Sequence, residues 1–119
     1  MKSILIVEDD YFLGKIACLI LQTANYGVEW CQEGSEVLEL VKGKDIDLVL
    51  LDLTFDVGPS GLEILQNLRN HYSLQELPIL IFSGRNEEIL QKVFSEGAND
   101  YIVKPFEKQE LLTFVAKHI

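Results

Sequence analysis

The sequence is poor in positive charge. Ten lysine and arginine residues stand against nineteen acidic residues, which gives a formal net charge of −9. Lys42 with Lys44, and Lys104 with Lys108, are isolated pairs among acids and form no basic patch. Because a surface of this charge repels the phosphate backbone of a nucleic acid, we expect no direct nucleic-acid binding by this chain.

Paired cysteines and long apolar runs are lacking as well. Cys18 and Cys31 have no CxxC spacing and fall in apolar segments, so we expect buried free thiols rather than a disulfide or a zinc site. No run approaches the ~20 apolar residues of a membrane span, and the N-terminal apolar run is too short and too acidic for a signal peptide. We therefore expect a cytoplasmic protein with no membrane segment.

What the sequence does contain is an alternation of short β-rich apolar runs with longer stretches of helical periodicity. With 119 residues, 48% of them hydrophobic, the chain can bury one ordinary core, so residues 1–119 are expected to form one domain. The alternation favours a doubly wound α/β fold of five βα units around a parallel sheet. The predicted strands are Ser3–Glu8, Val28–Cys31, Leu48–Asp52, Ile79–Phe82 and Tyr101–Val103.

Apolar residues at helical spacing predict which face of each helix is buried against the sheet. The sets in chain order are Phe12, Leu13, Ile16, Ala17, Leu19 and Ile20; Val37, Leu38 and Val41; Leu62, Leu65 and Leu68; Ile89, Leu90, Val93 and Phe94; and Leu111, Leu112 and Val115. Trp30, in the second strand, is interpreted as core or edge packing.

Charged and hydroxyl groups stand where the predicted strands end. The first strand runs into Glu8 and Asp9, the third ends in Asp52, the fourth is followed by Ser83, and the fifth by Lys104. Ligands of open parallel sheets bind outside the carboxyl ends of the strands, so these groups are expected to converge. Three adjacent carboxylates cannot all stay ionised without a neutralising cation, and oxygen ligands suit Mg²⁺.

A carboxylate in such a place can be the nucleophile of phosphoryl transfer, and Asp52 is the candidate. The transferred group would need its charge neutralised, which Mg²⁺ and Lys104 could do, and a hydrogen-bond donor, which Ser83 could be. Nothing in this chemistry requires a general base.

Four segments, ILIVEDD, DLVLLDLTF, ILIFSG and ANDYIVKPF, occur in this order in the sequence. With them the chain resembles a response-regulator receiver domain of two-component signalling over essentially its whole length. The resemblance implies a flavodoxin-like fold with strand order 2-1-3-4-5, and phosphorylation of Asp52 by a sensor histidine kinase or phosphotransfer protein. It also implies a Mg²⁺ ion held by Glu8, Asp9, Asp52 and the backbone carbonyl of Thr54.

The same resemblance implies a switch. Ser83 and Tyr101 match its residue pair, Lys104 precedes a cis proline at Pro105, and the fourth helix, fifth strand and fifth helix form the face that changes. A downstream effector would read this face, in a monomer or a phosphorylation-linked dimer. No output domain is visible, so the chain is expected to be a free-standing receiver or part of a longer protein.

Two departures from the family pattern keep a second interpretation open. The loop after Asp52, LTFDVGPSG, is one residue longer than the pattern, and the segment from Ser83 to Lys104 is about one residue shorter. The alternative is a receiver-like scaffold that signals by protein contacts without phosphorylation. Two other classes fit poorly: a phosphohydrolase of the haloacid-dehalogenase type needs an acid where Thr54 stands, and a flavodoxin needs a glycine-rich phosphate loop where Glu8, Asp9 and Asp10 stand.

Overall fold

The computed structural model describes residues 1–53, 59–84 and 87–119, and in these residues strands and helices alternate along the chain. The strands are β1 (Ser3–Val7), β2 (Gly27–Cys31), β3 (Leu48–Leu51), β4 (Ile79–Ser83) and β5 (Asp100–Val103). The helices are α1 (Tyr11–Gln22), α2 (Val37–Gly43), α3 (Gly61–Arg69), α4 (Glu87–Ser95) and α5 (Lys108–Ala116), with a 3₁₀ turn at Gly34–Glu36. Each predicted strand differs from the observed one by a single residue at one end.

The five strands form one parallel sheet in the order β2-β1-β3-β4-β5. This order confirms the predicted doubly wound, flavodoxin-like fold. The three central strands are completely apolar apart from the terminal Ser3 and Ser83, as is usual when a parallel sheet is covered by helices on both faces. β2 lies on one side of β1 and β3 on the other, so the chain changes its winding direction between β1 and β3. The carboxyl ends of these two strands lie side by side.

Side-chain alternation divides the core between the two faces of the sheet. Leu5 and Val7 of β1 belong to the cluster that includes residues of α2, α3 and α4. Ile4 and Ile6 belong to the cluster that includes residues of α1 and α5. We call these two sides of the sheet the α2–α4 face and the α1/α5 face.

The predicted buried face of α1 is wrong for half of its members. Phe12, Ile16 and Leu19 are 76%, 49% and 52% exposed, whereas Ala17 is buried as predicted, together with Gly14 and Leu21. Because α1 carries apolar residues on two sides, periodicity alone did not identify the inward one. Gly14 has no side chain to count in a hydrophobic pattern, although it lies on the buried side.

The predicted face of α4 is also wrong at two positions. Leu90 and Val93 are buried as expected, but Ile89 and Phe94 are 42% and 44% exposed. The Phe94 ring makes an edge contact with Tyr101 of β5, with the ring centroids 5.5 Å apart. The helix therefore presents apolar surface to solvent beside the fifth strand.

Arg69, the last residue of α3, fixes the amino edge of the sheet. Its Nε donates to the carbonyl oxygen of Gly97, its Nη1 to that of Leu77, and its Nη2 to Asn99 Oδ1, at 2.8, 2.8 and 2.6 Å. The same Asn99 oxygen accepts from the backbone N–H of Ile79, at 2.9 Å. One guanidinium thereby connects α3 to the starts of β4 and β5.

Both cysteines are free; Cys31 is buried and Cys18 is partly exposed, so full burial of both thiols was not correct. Within the described ranges, none of the helices has the length and apolar content needed to cross a bilayer.

Gly61, the first residue of α3, allows this helix to approach the end of β3 closely. A β-carbon at Gly61 would lie 2.3 Å from the Cα of Leu53 and 2.4 Å from the carbonyl oxygen of Asp52. The Gly61 N–H donates to the Leu53 carbonyl oxygen at 3.1 Å. Since the nearest atoms are backbone atoms, they cannot move aside as a flexible side chain could.

We expect Gly61→Ala to destabilise the protein by about 1–3 kcal/mol, the usual cost of forcing an extra carbon into a packed site. Gly43→Ala is the matched control, because a β-carbon at Gly43 would have no neighbour within 4 Å. Urea unfolding would measure both variants. Equal stability of the two variants would contradict the close approach of α3 to Asp52.

Candidate functional site

Strand register places Glu8 and Asp52 next to each other. Val7 of β1 pairs with Leu51 of β3, so the two acids are the residues that follow a matched pair. The Asp52 N–H donates to the Val7 carbonyl oxygen at 3.0 Å, which continues the ladder by one bond. Alternation predicts that both carboxylates lie on the α1/α5 face, on the same side as Ile6 and Leu50.

Three carboxylates converge at this edge of the sheet. Glu8, Asp9 and Asp52 each offer an oxygen atom, and these atoms all lie within 4.8 Å of one another. Glu8 is 0% exposed and Asp52 is 4% exposed, whereas Asp9 is partly exposed. Asp10 has a different part in the structure, since its Oδ1 accepts from the Leu13 N–H and caps α1.

Lys104 brings a positive charge to the cluster from the carboxyl end of β5, two strands away from β3. Its Nζ lies 3.0 Å from Glu8 Oε1 and 3.4 Å from Asp52 Oδ1. Lys104 follows β5, so its side chain must cross β4 to reach these acids. It does so over Phe82, with Nζ 4.8 Å from the centroid of the ring.

One carboxylate oxygen of the cluster lacks a partner. Glu8 Oε2 is buried and makes no hydrogen bond to any atom in residues 1–53, 59–84 and 87–119. The pKa of the Glu8 carboxyl group is raised from its ordinary value of 4.5 to about 8. Burial is the main cause, the Asp52 carboxylate adds to it, and the Lys104 ammonium opposes it.

These features fit a divalent metal ion with oxygen ligands. A buried, unpartnered carboxylate oxygen costs free energy unless a proton or a cation neutralises it. The donors are carboxylate oxygens only, from two buried groups and one partly exposed group, and Mg²⁺ prefers such ligands while keeping some of its water. The backbone carbonyl of Thr54, the fourth predicted ligand, lies outside the described residues.

The two predicted switch residues lie on neighbouring strands. Ser83 is the last residue of β4 and is 8% exposed, and its carbonyl oxygen accepts from the Lys104 N–H at 2.8 Å. Tyr101 pairs with Ile81 of β4 and packs its ring against Phe94. Tyr101 is partly buried beside the core of the α2–α4 face. The Lys104–Pro105 peptide bond is cis.

Two residues near the acids were not predicted to belong to the site: Phe82 was not named, and Trp30 was interpreted only as core or edge packing. Phe82 supports the ammonium of Lys104, and Trp30 donates from its indole Nε1 to the carbonyl oxygen of Glu8 at 3.0 Å. Phe82 precedes Ser83 and lies on the opposite face of the strand, so alternation could have placed it with Lys104. No signal in the sequence pairs Trp30 with Glu8, because their proximity depends on the neighbouring strand.

Comparison with known proteins identifies the family of this fold and site. The model of the response regulator receiver domain matches residues 4–116. The chain belongs to this family. The curated relatives that it matches include the CAI-1 autoinducer sensor kinase/phosphatase CqsS of Vibrio cholerae, 36% identical over 118 residues. They also include the cell cycle transcriptional regulator CtrA of Caulobacter vibrioides, 36% identical over 110 residues.

These relatives are longer proteins. The matched residues are 97% of this chain but 17% of CqsS, and 92% of this chain but 46% of CtrA. Among solved structures, that of the chemotaxis response regulator CheY4 of Vibrio cholerae superimposes with a TM-score of 0.91 at 27% identity. This match covers 100% of the present chain and 99% of the other, so the receiver domain alone accounts for the likeness.

In the absence of divalent cations, we expect the free energy of unfolding to decrease as the pH rises from 4.5 to about 8. Over this interval the folded receiver domain holds a proton on Glu8 that the unfolded chain has released, so a higher pH favours unfolding. A single group of this kind contributes at most about 1.4 kcal/mol per pH unit. Urea unfolding in a chelating buffer at several pH values would measure the slope.

The control variants for this slope are Glu8→Gln and Glu39→Gln. A glutamine at position 8 cannot exchange a proton, so the slope should become shallower, while replacement of the exposed Glu39 should preserve it. Because Mg²⁺ competes with the proton, adding it should stabilise the wild type more near pH 8 than near pH 5. An unchanged slope in Glu8→Gln would contradict the assignment of the proton to Glu8.

Proposed function

We propose that this receiver domain accepts a phosphoryl group on Asp52, with Mg²⁺ bound, from a sensor histidine kinase or a phosphotransfer protein. The observation that supports this most directly is the position of the Lys104 ammonium, within 3.0 Å of Glu8 and 3.4 Å of Asp52. It supplies a fixed positive charge beside a nearly buried carboxylate at the carboxyl edge of the sheet. Phosphoryl transfer needs such an arrangement, because negative charge accumulates on the transferred group.

In the proposed reaction, an oxygen of the Asp52 carboxylate attacks the phosphorus atom of the donor. A phosphorus–oxygen bond to Asp52 forms while the bond to the leaving group breaks, and the leaving group keeps the electron pair. Asp52 Oδ1 accepts from the Leu53 N–H at 2.8 Å, which orients the carboxylate. Bound Mg²⁺ would supply additional charge neutralisation for the phosphoryl oxygens.

The residues that would hold the metal are Glu8, Asp9, Asp52 and the backbone carbonyl of Thr54. Glu8 and Asp9 extend from β1 and Asp52 follows β3, so the ligands come from the two strands at which the sheet changes its winding direction. One carboxylate oxygen of each acid lies within 4.8 Å of the other two, so a single ion could contact all three. The remaining coordination positions would be left to water and to the phosphoryl group.

The proposed output is a change of surface. A phosphoryl group on Asp52 would draw the Ser83 hydroxyl toward it, and Tyr101 would move into the space released. Tyr101 contacts Phe94 of α4, and Lys104 follows the same strand, which supports a responding face made of α4, β5 and the α5 helix that comes next in the chain. A local change of charge would thus alter a surface that a downstream effector reads.

The broader features of the proposal follow from this role. Residues 1–119 act as one signalling domain in the cytoplasm, as a monomer or a phosphorylation-linked dimer, without contacting nucleic acid directly. The domain catalyses only its own phosphorylation and dephosphorylation.

The test is incubation with Mg²⁺ and acetyl phosphate, followed by measurement of the intact mass. We expect the wild type to gain one phosphoryl group, because acetyl phosphate supplies a good leaving group without a kinase. Asp52→Asn should gain none, since an amide is not a nucleophile here. Asp45→Asn is the matched control, because Asp45 is an exposed acid before β3, and this variant should be modified like the wild type.

Omission of Mg²⁺ should abolish the mass gain in the wild type and in Asp45→Asn. A folded wild type that binds Mg²⁺ but gains no mass would contradict the proposal. That result would favour the receiver-like scaffold that signals without phosphorylation. A gain that persists in Asp52→Asn would place the phosphoryl group on another residue.

A further inference from the structure

The backbone N–H and the backbone carbonyl group of Glu8 are each hydrogen-bonded to one of two consecutive residues of β2. The Glu8 N–H donates to the Cys31 carbonyl oxygen at 3.0 Å, as the next bond of the β1–β2 ladder. The Glu8 carbonyl oxygen accepts from Trp30 Nε1, also at 3.0 Å. Thus the first bond continues the regular sheet, whereas the second depends on one particular side chain.

The Trp30 indole reaches this carbonyl group through a space that Gly14 leaves in α1. A β-carbon at Gly14 would lie 2.2 Å from Cε2 and 2.5 Å from Nε1 of the indole. Tyr11 covers the indole from the start of α1, with the ring centroids 5.4 Å apart. Two residues of α1, Gly14 and Tyr11, therefore fix where the indole N–H points.

The hydrogen bond from Trp30 anchors one end of the acid loop, which we define as Glu8–Asp10. The other end is anchored by Asp10, whose side chain caps α1 through the Leu13 N–H at 3.1 Å. Asp9 lies between these two anchors. Since the loop has only three residues, fixing both ends restricts where the carboxylates of Glu8 and Asp9 can point.

We propose that Trp30 is a positioning residue for the cation site: its indole N–H fixes the Glu8 carbonyl group and thereby orients the Glu8 and Asp9 carboxylates toward one ion. This inference rests on the proposed function, because it concerns the same Mg²⁺ site. Trp30 would not touch the metal itself. Hydrogen-bonded neighbours of metal ligands commonly control affinity by holding those ligands in place.

The test is the affinity for Mg²⁺ of the wild type and of Trp30→Phe, measured by isothermal titration calorimetry. Phenylalanine keeps an aromatic ring in the space beside Gly14 but has no N–H to donate. We expect Trp30→Phe to bind Mg²⁺ about tenfold more weakly, the lower end of the range for loss of such a neighbour. The melting temperature, measured in a chelating buffer, would separate this effect from a loss of stability.

Gly14→Ala is the second variant, and it keeps every proposed ligand and Trp30 itself. The added β-carbon must displace the indole, so we expect weaker Mg²⁺ binding here as well. Because Trp30 is the only tryptophan, its fluorescence reports this displacement without interference from another residue. The emission should shift in Gly14→Ala relative to the wild type, and in the wild type it should respond to Mg²⁺ over the calorimetric range.

Val115→Ala is the matched control for lost packing. Val115 is buried in the cluster that Trp30 packs against, but it belongs to α5 and not to the acid loop. Its replacement should lower stability and leave the affinity for Mg²⁺ unchanged. If Trp30→Phe does not fold, Gly14→Ala decides the question.

Wild-type affinity in the folded Trp30→Phe and Gly14→Ala variants would overturn the positioning role of Trp30 while leaving the proposed function intact. Equal weakening in Val115→Ala would also overturn it, since the effect would then follow stability alone. A wild type that binds no Mg²⁺ would overturn this inference together with the metal site of the proposed function.

Discussion

The site depends on the contact of one ammonium group with two carboxylates that the sheet keeps away from water. Glu8 is 0% exposed because it follows a strand that is buried on both faces, and Asp52 follows the matched residue of the next strand. Burial removes water from the Glu8 carboxyl group and the neighbouring Asp52 carboxylate adds repulsion, so the pKa of Glu8 is raised. Lys104 opposes both effects, and it can do so only because β5 holds it at the same edge of the sheet.

The parallel sheet provides the rigid support that this arrangement needs. Its strands pack apolar side chains into a core on each face, so a shift in register by one residue would disturb the packing of both faces at once. The burial of this apolar core offsets the free energy cost of gathering acids at one edge of the sheet. Gly61 and Arg69 add local constraints, the first beside Asp52 and the second at the amino edge of the sheet.

The sequence was sufficient to predict the strands and the edge at which the polar groups meet, because both follow from local patterns. The order of the strands came from the resemblance to receiver domains. The exposed side of α1 was assigned wrongly, since Phe12 and Ile16 are as regularly spaced as the buried residues. The hydrogen bond from Trp30 to Glu8 was beyond prediction, because it requires the pairing of β1 with β2 and a glycine on a third element.

The contact of Lys104 with Glu8 and Asp52 also indicates how a phosphoryl group on Asp52 would affect the surface of the domain. The Lys104 ammonium contacts both Glu8 and Asp52. A phosphoryl group on Asp52 would add negative charge beside Asp52 only. The ammonium would then be drawn toward the phosphoryl group and away from Glu8. The backbone N–H of Lys104 is hydrogen-bonded to the Ser83 carbonyl oxygen, and Tyr101 stands three residues earlier in the chain, so both proposed switch residues are neighbours of Lys104. A lysine with two acidic partners is thus better suited to the proposed switch than a lysine bound to Asp52 alone.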